Sequence, residues 1–167
     1  MINADFFERN PVLAARELLG AYLVRKIDGK TVRLKIVETE AYGGREDLGS
    51  HARRGQTPGN SPMFERAGTI YVYFTYGMHW MLNIVCREKG NPGAILIRGV
   101  EGCIGPGRLT KKLGIDKRLN GLRIGKRSGL WIEENPEKNF KIKKTPRIGI
   151  AYAGPIWANK KHRFVLE

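Results

Sequence analysis

Cysteine is scarce in this chain of 167 residues, which has only Cys86 and Cys103. The two form no C-x-x-C pair and no histidine stands at ligand spacing, so neither a zinc motif nor a disulfide framework is indicated. A reduced, intracellular setting is the simpler expectation. Long apolar runs are missing too. Residues 69 to 86, within the longest stretch without a formal charge, contain Gly77, His79 and Asn83 and alternate in polarity, which makes a poor membrane span. The opening "MINADFFERN" carries acids early and lacks a basic-then-apolar pattern, so no secretion signal is expected. The chain has no internal repeat and no low-complexity segment.

Acidic side chains are the remaining shortage. Thirty Lys and Arg stand against sixteen Asp and Glu, a net +14 at pH 7. Such a charge draws a polyanion and works against cationic partners. The excess is uneven: residues 1–104 carry 14 basic and 11 acidic side chains, net +3, and residues 105–167 carry 16 and 5, net +11. With 41% hydrophobic residues, the chain is long enough for a single domain with its own core, spanning residues 1–167.

Asn10 before Pro11 reads as a cap and first-turn proline, and "VLAARELLG" continues with apolar spacing to Gly20 as a stop. "AYLVRKI" and "TVRLKIVETEAY" flank Asp28-Gly29, which predicts a β-hairpin over residues 21–42. Residues 43–68 read as a long loop, a length that is usually functional or disordered. "TIYVYFT" and "HWMLNIVC" are predicted strands joined across Tyr76-Gly77-Met78, with "GAILIRGVE" a third. "GPGRLTKKLGI" reads as a short basic helix opened by a glycine turn, "RIGIAYA" as a final apolar strand and "RFVLE" as the close. Strands that succeed one another through short turns favour antiparallel pairing. The expected fold is α+β: one domain on a strongly curved, largely antiparallel, open-barrel-like sheet surrounded by short helices.

"KIVETEAYGG", residues 35–44, places two carboxylates just before an aromatic residue. Strand periodicity predicts Ile36, Glu38, Glu40 and Tyr42 on one face, with Val37, Thr39 and Ala41 on the other. Taken alone, Glu38 and Glu40 read as a solvated edge, His51 as a loop histidine, and Tyr71 and Tyr73 as core or surface aromatics. Their combination with the positive charge points elsewhere. A carboxylate, a histidine and aromatic faces are the parts needed to hold and act on a flat base taken out of a nucleic acid. Tyr76, bulky and placed at a chain reversal, fits a wedge that fills the gap left by an extruded nucleotide.

The run "VETEAYGGREDLGSHARRGQTPGNSPMFERAGTIYVYFTYGMHWMLNIV", followed by "GPGRLTKKLGI" and "RIGIAYAG", closely resembles the alkyladenine, or 3-methyladenine, DNA glycosylases of the methylpurine type, from about Pro11 to Phe164. The resemblance implies a monofunctional glycosylase of base excision repair that removes damaged purines such as 3-methyladenine, 7-methylguanine, hypoxanthine and ethenoadenine from duplex DNA. By that match Glu40 is the general base that activates water, and Arg98 helps to position the water and the abasic nucleotide's phosphate. Tyr42, His51 and Tyr73 match the residues that sandwich the flipped base, and Asn83 the one that crowds the exocyclic amino group of guanine. Ile148 matches the residue whose carbonyl holds the water. Tyr76 matches the intercalating residue. With Met78 beside it, and with Arg108, Lys111 and Lys112 on phosphates, it forms the expected DNA contact. Glu38 takes no catalytic role from the match and is expected to be supporting or solvated. No lysine falls in the matched pocket motifs, so a water nucleophile is expected without a Schiff base, metal or cofactor. A monomer in the cytoplasm or nucleoid, free of membrane and obligatory protein partner, completes the expectation.

The chain departs from the family in a shorter stretch between His51 and Gln56, in His79 where a tyrosine follows Y-G-M, and in ending soon after Phe164. A non-catalytic nucleic-acid binder using the same charge and tyrosines is the rival reading. A second rival is an enzyme acting on RNA or free nucleosides.

Overall fold

The computed structural model describes residues 1–137 and 139–167. In chain order the elements are helix α1 (Pro11–Glu17), strands β1 (Tyr22–Ile27), β2 (Lys30–Tyr42), β3 (Ile70–Thr75), β4 (His79–Val85), β5 (Ala94–Val100) and β6 (Cys103–Ile104), helix α2 (Pro106–Lys112), strands β7 (Leu130–Glu133) and β8 (Ile142–Thr145), helix α3 (Gly154–Asn159) and strand β9 (Arg163–Leu166). The fold is α+β. Among the described residues nine strands, antiparallel at every pairing, make one open sheet in the order β3-β4-β5-β2-β1-β7, with β6 beside β5, and with β8 and β9 joined to it through β2.

Local chemistry explains the predicted elements that form. The Asn10 side chain caps α1 by accepting from the Val12 amide at 2.8 Å, with Pro11 in the first turn. Asp28 and Gly29 both take positive φ, as the tight hairpin between β1 and β2 requires. The β3–β4 hairpin closes over three residues, Tyr76-Gly77-Met78, the first two also at positive φ (53° and 64°).

Alternation along the strands sorts two sides. Ile70, Val72, Leu82, Ile84, Ile95 and Ile97 face the main core, where α1 packs through Ala14, Ala15 and Leu18. On the other side Ala52, Met63, Phe64, Tyr71, Val85 and Ala94 form a smaller cluster beneath residues 43–68. That stretch is an ordered loop with 3-10 turns at His51–Arg54 and Ser61–Phe64. Asn60 holds it together, accepting from the Thr57 amide at 2.7 Å and donating to the carbonyls of His51 and Gly55 at 3.0 Å each.

Two expectations need correction. Ile36 does not share a face with Glu38 and Glu40. The β2–β5 register breaks on both sides of Glu38, and this irregularity turns Ile36 into the core with Ala41. "RIGIAYA" is not a strand: residues 146–150 are irregular and Ala151–Ala153 is a 3-10 turn. Its backbone is committed elsewhere. The Ile148 amide donates to a side chain, Gly149 sits at φ 78°, and Arg147 is drawn inward to a buried carboxylate.

Candidate active site

A cavity of about 420 Å³ opens on the face of the sheet opposite α1 and is lined by residues from four strands, two loops, the β3–β4 turn and the start of α2. This is within the roughly 300–1,000 Å³ of small-ligand sites. β2 contributes Tyr42, β3 contributes Tyr73, β4 contributes Asn83 and β5 contributes Arg98, while His51 comes from the long loop and Ile148 from the turn after β8. The residues singled out from the sequence as pocket residues therefore converge. Tyr152, Tyr71 and Gly49 also line the space, and sequence reasoning did not assign Tyr152.

Glu40 is the buried charge of the site. It is fully inaccessible, and strands pair with it on both sides, β5 at Leu96 and β9 at Arg163. One carboxylate oxygen accepts from the Ile148 amide at 2.8 Å and lies 3.6 Å from an Arg98 guanidinium nitrogen. The other accepts from the Tyr42 hydroxyl at 2.7 Å. Burial pushes the Glu40 pKa above the ordinary carboxylate value, and Arg98, the Ile148 amide and the Tyr42 hydroxyl oppose that rise. Tyr42 responds in turn. Burial and the neighbouring Glu40 charge raise its own pKa well above the usual phenol value, so it stays a neutral donor.

Glu38 is not solvated. It is 3% exposed, and one of its oxygens accepts from Arg98 Nε at 3.0 Å and from Arg163 Nε at 2.6 Å. Arg163 also donates to Thr145 Oγ1 at 3.0 Å. Arg98 thus lies between two carboxylates, fixed by Glu38 and within ion-pair range of Glu40.

The aromatic wall has its own order. His51 Nδ1 lies 3.0 Å from the Tyr71 hydroxyl and its ring stands edge-on to Tyr73 with centroids 4.5 Å apart. The bond ties the imidazole to Tyr71, and which of the two donates follows the histidine tautomer. Burial of the packed side of the ring, and then Arg53, lower the His51 pKa, which leaves it neutral at pH 7 although its outer edge is exposed. Burial and Glu40 push Tyr73 up to about 12. The Asn83 amide nitrogen donates to the Tyr71 carbonyl at 3.2 Å.

Behind the wall, Asp47 and Arg147 form an ion pair with contacts of 2.6 and 2.9 Å. Burial favours a raised Asp47 pKa. Bonds from Arg147 and the Gly43 amide outweigh it and hold the acid below its usual range. Nothing in a single sequence marks this pair, whose members are 100 residues apart.

The outer surface is apolar at one place and basic at another. Tyr76 is 83% exposed and Met78 66% exposed at the tip of the β3–β4 hairpin. Arg108, Lys111 and Lys112 are exposed on α2, which packs beside β4: a Cβ on Gly107 would fall 2.6 Å from the His79 ring, and Thr110 donates to the Trp80 carbonyl at 2.9 Å. His79 is therefore exposed against α2, neither in the cavity nor in the core. Among the described residues no three His, Cys, Asp or Glu side chains gather as a metal site needs.

The chain is similar to known proteins over nearly its whole length. The sequence model of a family described as "Methylpurine-DNA glycosylase (MPG)" matches residues 5–103 and 101–167. Curated relatives with the name "Putative 3-methyladenine DNA glycosylase" include one from Legionella pneumophila (strain Paris), 41% identical over 170 residues that cover 97% of this chain and 92% of the relative. Another, from Anaeromyxobacter sp. (strain Fw109-5), is 40% identical and covers 98% and 87%. A third, from Methanocella arvoryzae, is 39% identical and covers 90% and 84%.

Proposed function

The chain belongs to the methylpurine-DNA glycosylase family, a DNA-repair family of N-glycosyl-bond hydrolases, and from that premise we propose how its own residues perform the reaction. A damaged purine in duplex DNA turns out of the stack, at a cost of a few kcal/mol that is lower when its pairing is already impaired. Tyr76, raised on its hairpin with Met78 beside it, fills the gap. Arg108, Lys111 and Lys112 hold backbone phosphates. The extruded base lies between Tyr42 on one side and Tyr73 and His51 on the other, with a hydrogen bond from the His51 ring to its edge. Asn83 excludes undamaged guanine.

As the N-glycosidic bond breaks, the sugar gains oxocarbenium character. Glu40, ionised, stabilises that charge and takes a proton from water attacking C1′. The carbonyl of Ile148 and the guanidinium of Arg98 orient the water. The products are a free base and an abasic site. Electron-poor alkylated purines leave readily, and neutral hypoxanthine or ethenoadenine needs protonation as it leaves. The cavity lining includes no lysine among the described residues, which supports water over an amine nucleophile and a monofunctional reaction. The steps use no metal or cofactor, and the protein acts as an intracellular monomer.

The observation that carries this reading is a fully buried carboxylate held by an amide and a phenol whose residues, Ile148 and Tyr42, line an aromatic cavity. The test is release of base from a duplex containing one 3-methyladenine or hypoxanthine, with chelator present and alkali added afterwards. Wild type should leave an alkali-labile abasic site, and Glu40→Gln should be slower by about 10²–10⁴. A duplex that is bound but left uncut by wild type would show a binding module in place of an enzyme.

A further inference from the structure

Tyr42 has a charge behind it. The guanidinium carbon of Arg147 lies 4.7 Å from the ring centroid, and Arg147 is buried and borders no part of the cavity that Tyr42 lines. The cation therefore meets the ring from the side away from the cavity. Three hydrogen bonds fix it there, two to Asp47 at 2.6 and 2.9 Å and one to the Ala41 carbonyl at 3.0 Å. Asp47 is fixed in turn by the amides of Gly43 at 2.8 Å and Gly49 at 2.9 Å. The two side chains are 0% and 1% exposed, so water screens neither.

Desolvation largely cancels the attraction in such a buried pair, so stability alone does not account for it. An aromatic face attracts cations through its negative quadrupole. Here one face of Tyr42 already meets a cation. A purine stacked on the other face would have its centre roughly 9 Å from the guanidinium, through a dry ring, at ordinary stacking separations. Asp47 holds guanidinium nitrogens and does not border the cavity, so it offsets the field at the ring only in part. Glu40 and Arg98 also act on a cationic base, and because both stay in place in the variants compared below, their effect is common to every ratio.

We propose that Arg147, fixed by Asp47, is a specificity-determining residue that lowers the site's preference for cationic alkylated purines relative to neutral lesions, through its buried positive charge behind the stacking face of Tyr42. The inference rests on the reading of Tyr42 as a wall of the base pocket. Bare electron-rich tyrosines would favour cations. The backing charge levels that bias and suits the site to a broader set of purines.

The test is internal competition between one duplex carrying 3-methyladenine, which is cationic, and one carrying hypoxanthine, which is neutral, read as the ratio of kcat/KM. Two changes push the ratio in opposite directions. Asp47→Asn with Arg147→Met removes the pair and should raise the ratio of 3-methyladenine to hypoxanthine about 3- to 10-fold, the span of a partly desolvated cation–π contribution. Asp47→Asn alone keeps the guanidinium and strips its counter-charge. The ratio should then fall. Loosened packing would slow both lesions together and leave the ratio unchanged. Circular dichroism checks folding, and if one variant does not fold, the sign from the other decides. Ratios that stay at the wild-type value, or move in the same direction in both variants, overturn the proposal. So does a wild type that releases the cationic base and leaves hypoxanthine intact. A wild type that releases neither base defeats the proposed function itself. Release of both with unmoved ratios defeats this inference alone.

Discussion

Tyr42→Phe separates two jobs of one residue, because it keeps the ring over Arg147 and deletes the 2.7 Å bond from its hydroxyl to Glu40. Glu40 works as a base only when ionised, so the rate falls as pH drops through its pKa. Burial has already raised that pKa, and the Tyr42 hydroxyl is one of the groups opposing the rise. Without it the pKa climbs further. A hydrogen bond to a charged group is worth about 1.5–3 kcal/mol, and about 1.4 kcal/mol corresponds to one pKa unit, so the loss is about one to two units. Water entering from the cavity restores part of the bond and brings the expected shift toward about one unit. Single-turnover excision of hypoxanthine from pH 5 to 9 measures it. The acid limb should move to higher pH by about one unit, while the maximal rate stays within a few-fold of wild type because the stacking ring remains. An acid limb that stays in place or moves to lower pH would refute the assignment of Glu40 as the titrating base with Tyr42 as its donor.

Burial sets a second expectation for Glu40. Its folded pKa lies above its unfolded value, so the native state binds the extra proton between the two, and this contribution to stability is lost as pH rises through the folded pKa. Glu40→Gln, which carries no charge to desolvate, should therefore melt no lower than wild type at pH 8, and each kcal/mol relieved should appear as about 2–4 °C in a calorimetric scan; a large drop in Tm would contradict the sign. Tyr76→Asn relieves a non-glycine residue at φ 53°, a strain on the order of 1 kcal/mol, so Tm should hold or rise while excision from duplex falls far more than excision from a single strand. Equal losses on both substrates would remove the wedge role. Changing Arg108, Lys111 and Lys112 to Gln should reduce the salt slope of DNA affinity by up to about 0.9 for each phosphate no longer neutralised, and an unchanged slope would place the phosphate grip elsewhere.

The parts of the fold readable in the sequence are those set by local rules. Asp28-Gly29 and Tyr76-Gly77 specify tight turns, and the period-2 pattern around Tyr71, Tyr73 and Asn83 places cavity and core on opposite faces. Long-range pairing is not legible in the same way. The alternation through Ile36 and Glu38 fails because the irregularity at Glu38 depends on how β2 meets β5, some 60 residues later. "RIGIAYA" has a strand's composition, yet Arg147 and the Ile148 amide are claimed by Asp47 and Glu40, about 100 residues earlier. β7 and β8, at four residues each, carry too little pattern to stand out as strands.

These same long-range contacts give the uneven charge of the chain a second meaning. Glu38, Glu40 and Asp47 all lie in the near-neutral first part, and each is buried. Two of the arginines that satisfy them, Arg147 and Arg163, come from the strongly basic last part, and the amide of Ile148 comes from there too. The surplus of +11 in that part is therefore not all available to phosphates: some of it is turned inward to pair with buried carboxylates. A buried acid kept ionised by partners from the other end of the chain can act as a base only once both parts have docked. The turn at residues 146–150 is therefore committed to the site, and it cannot also extend as the strand that its composition favours.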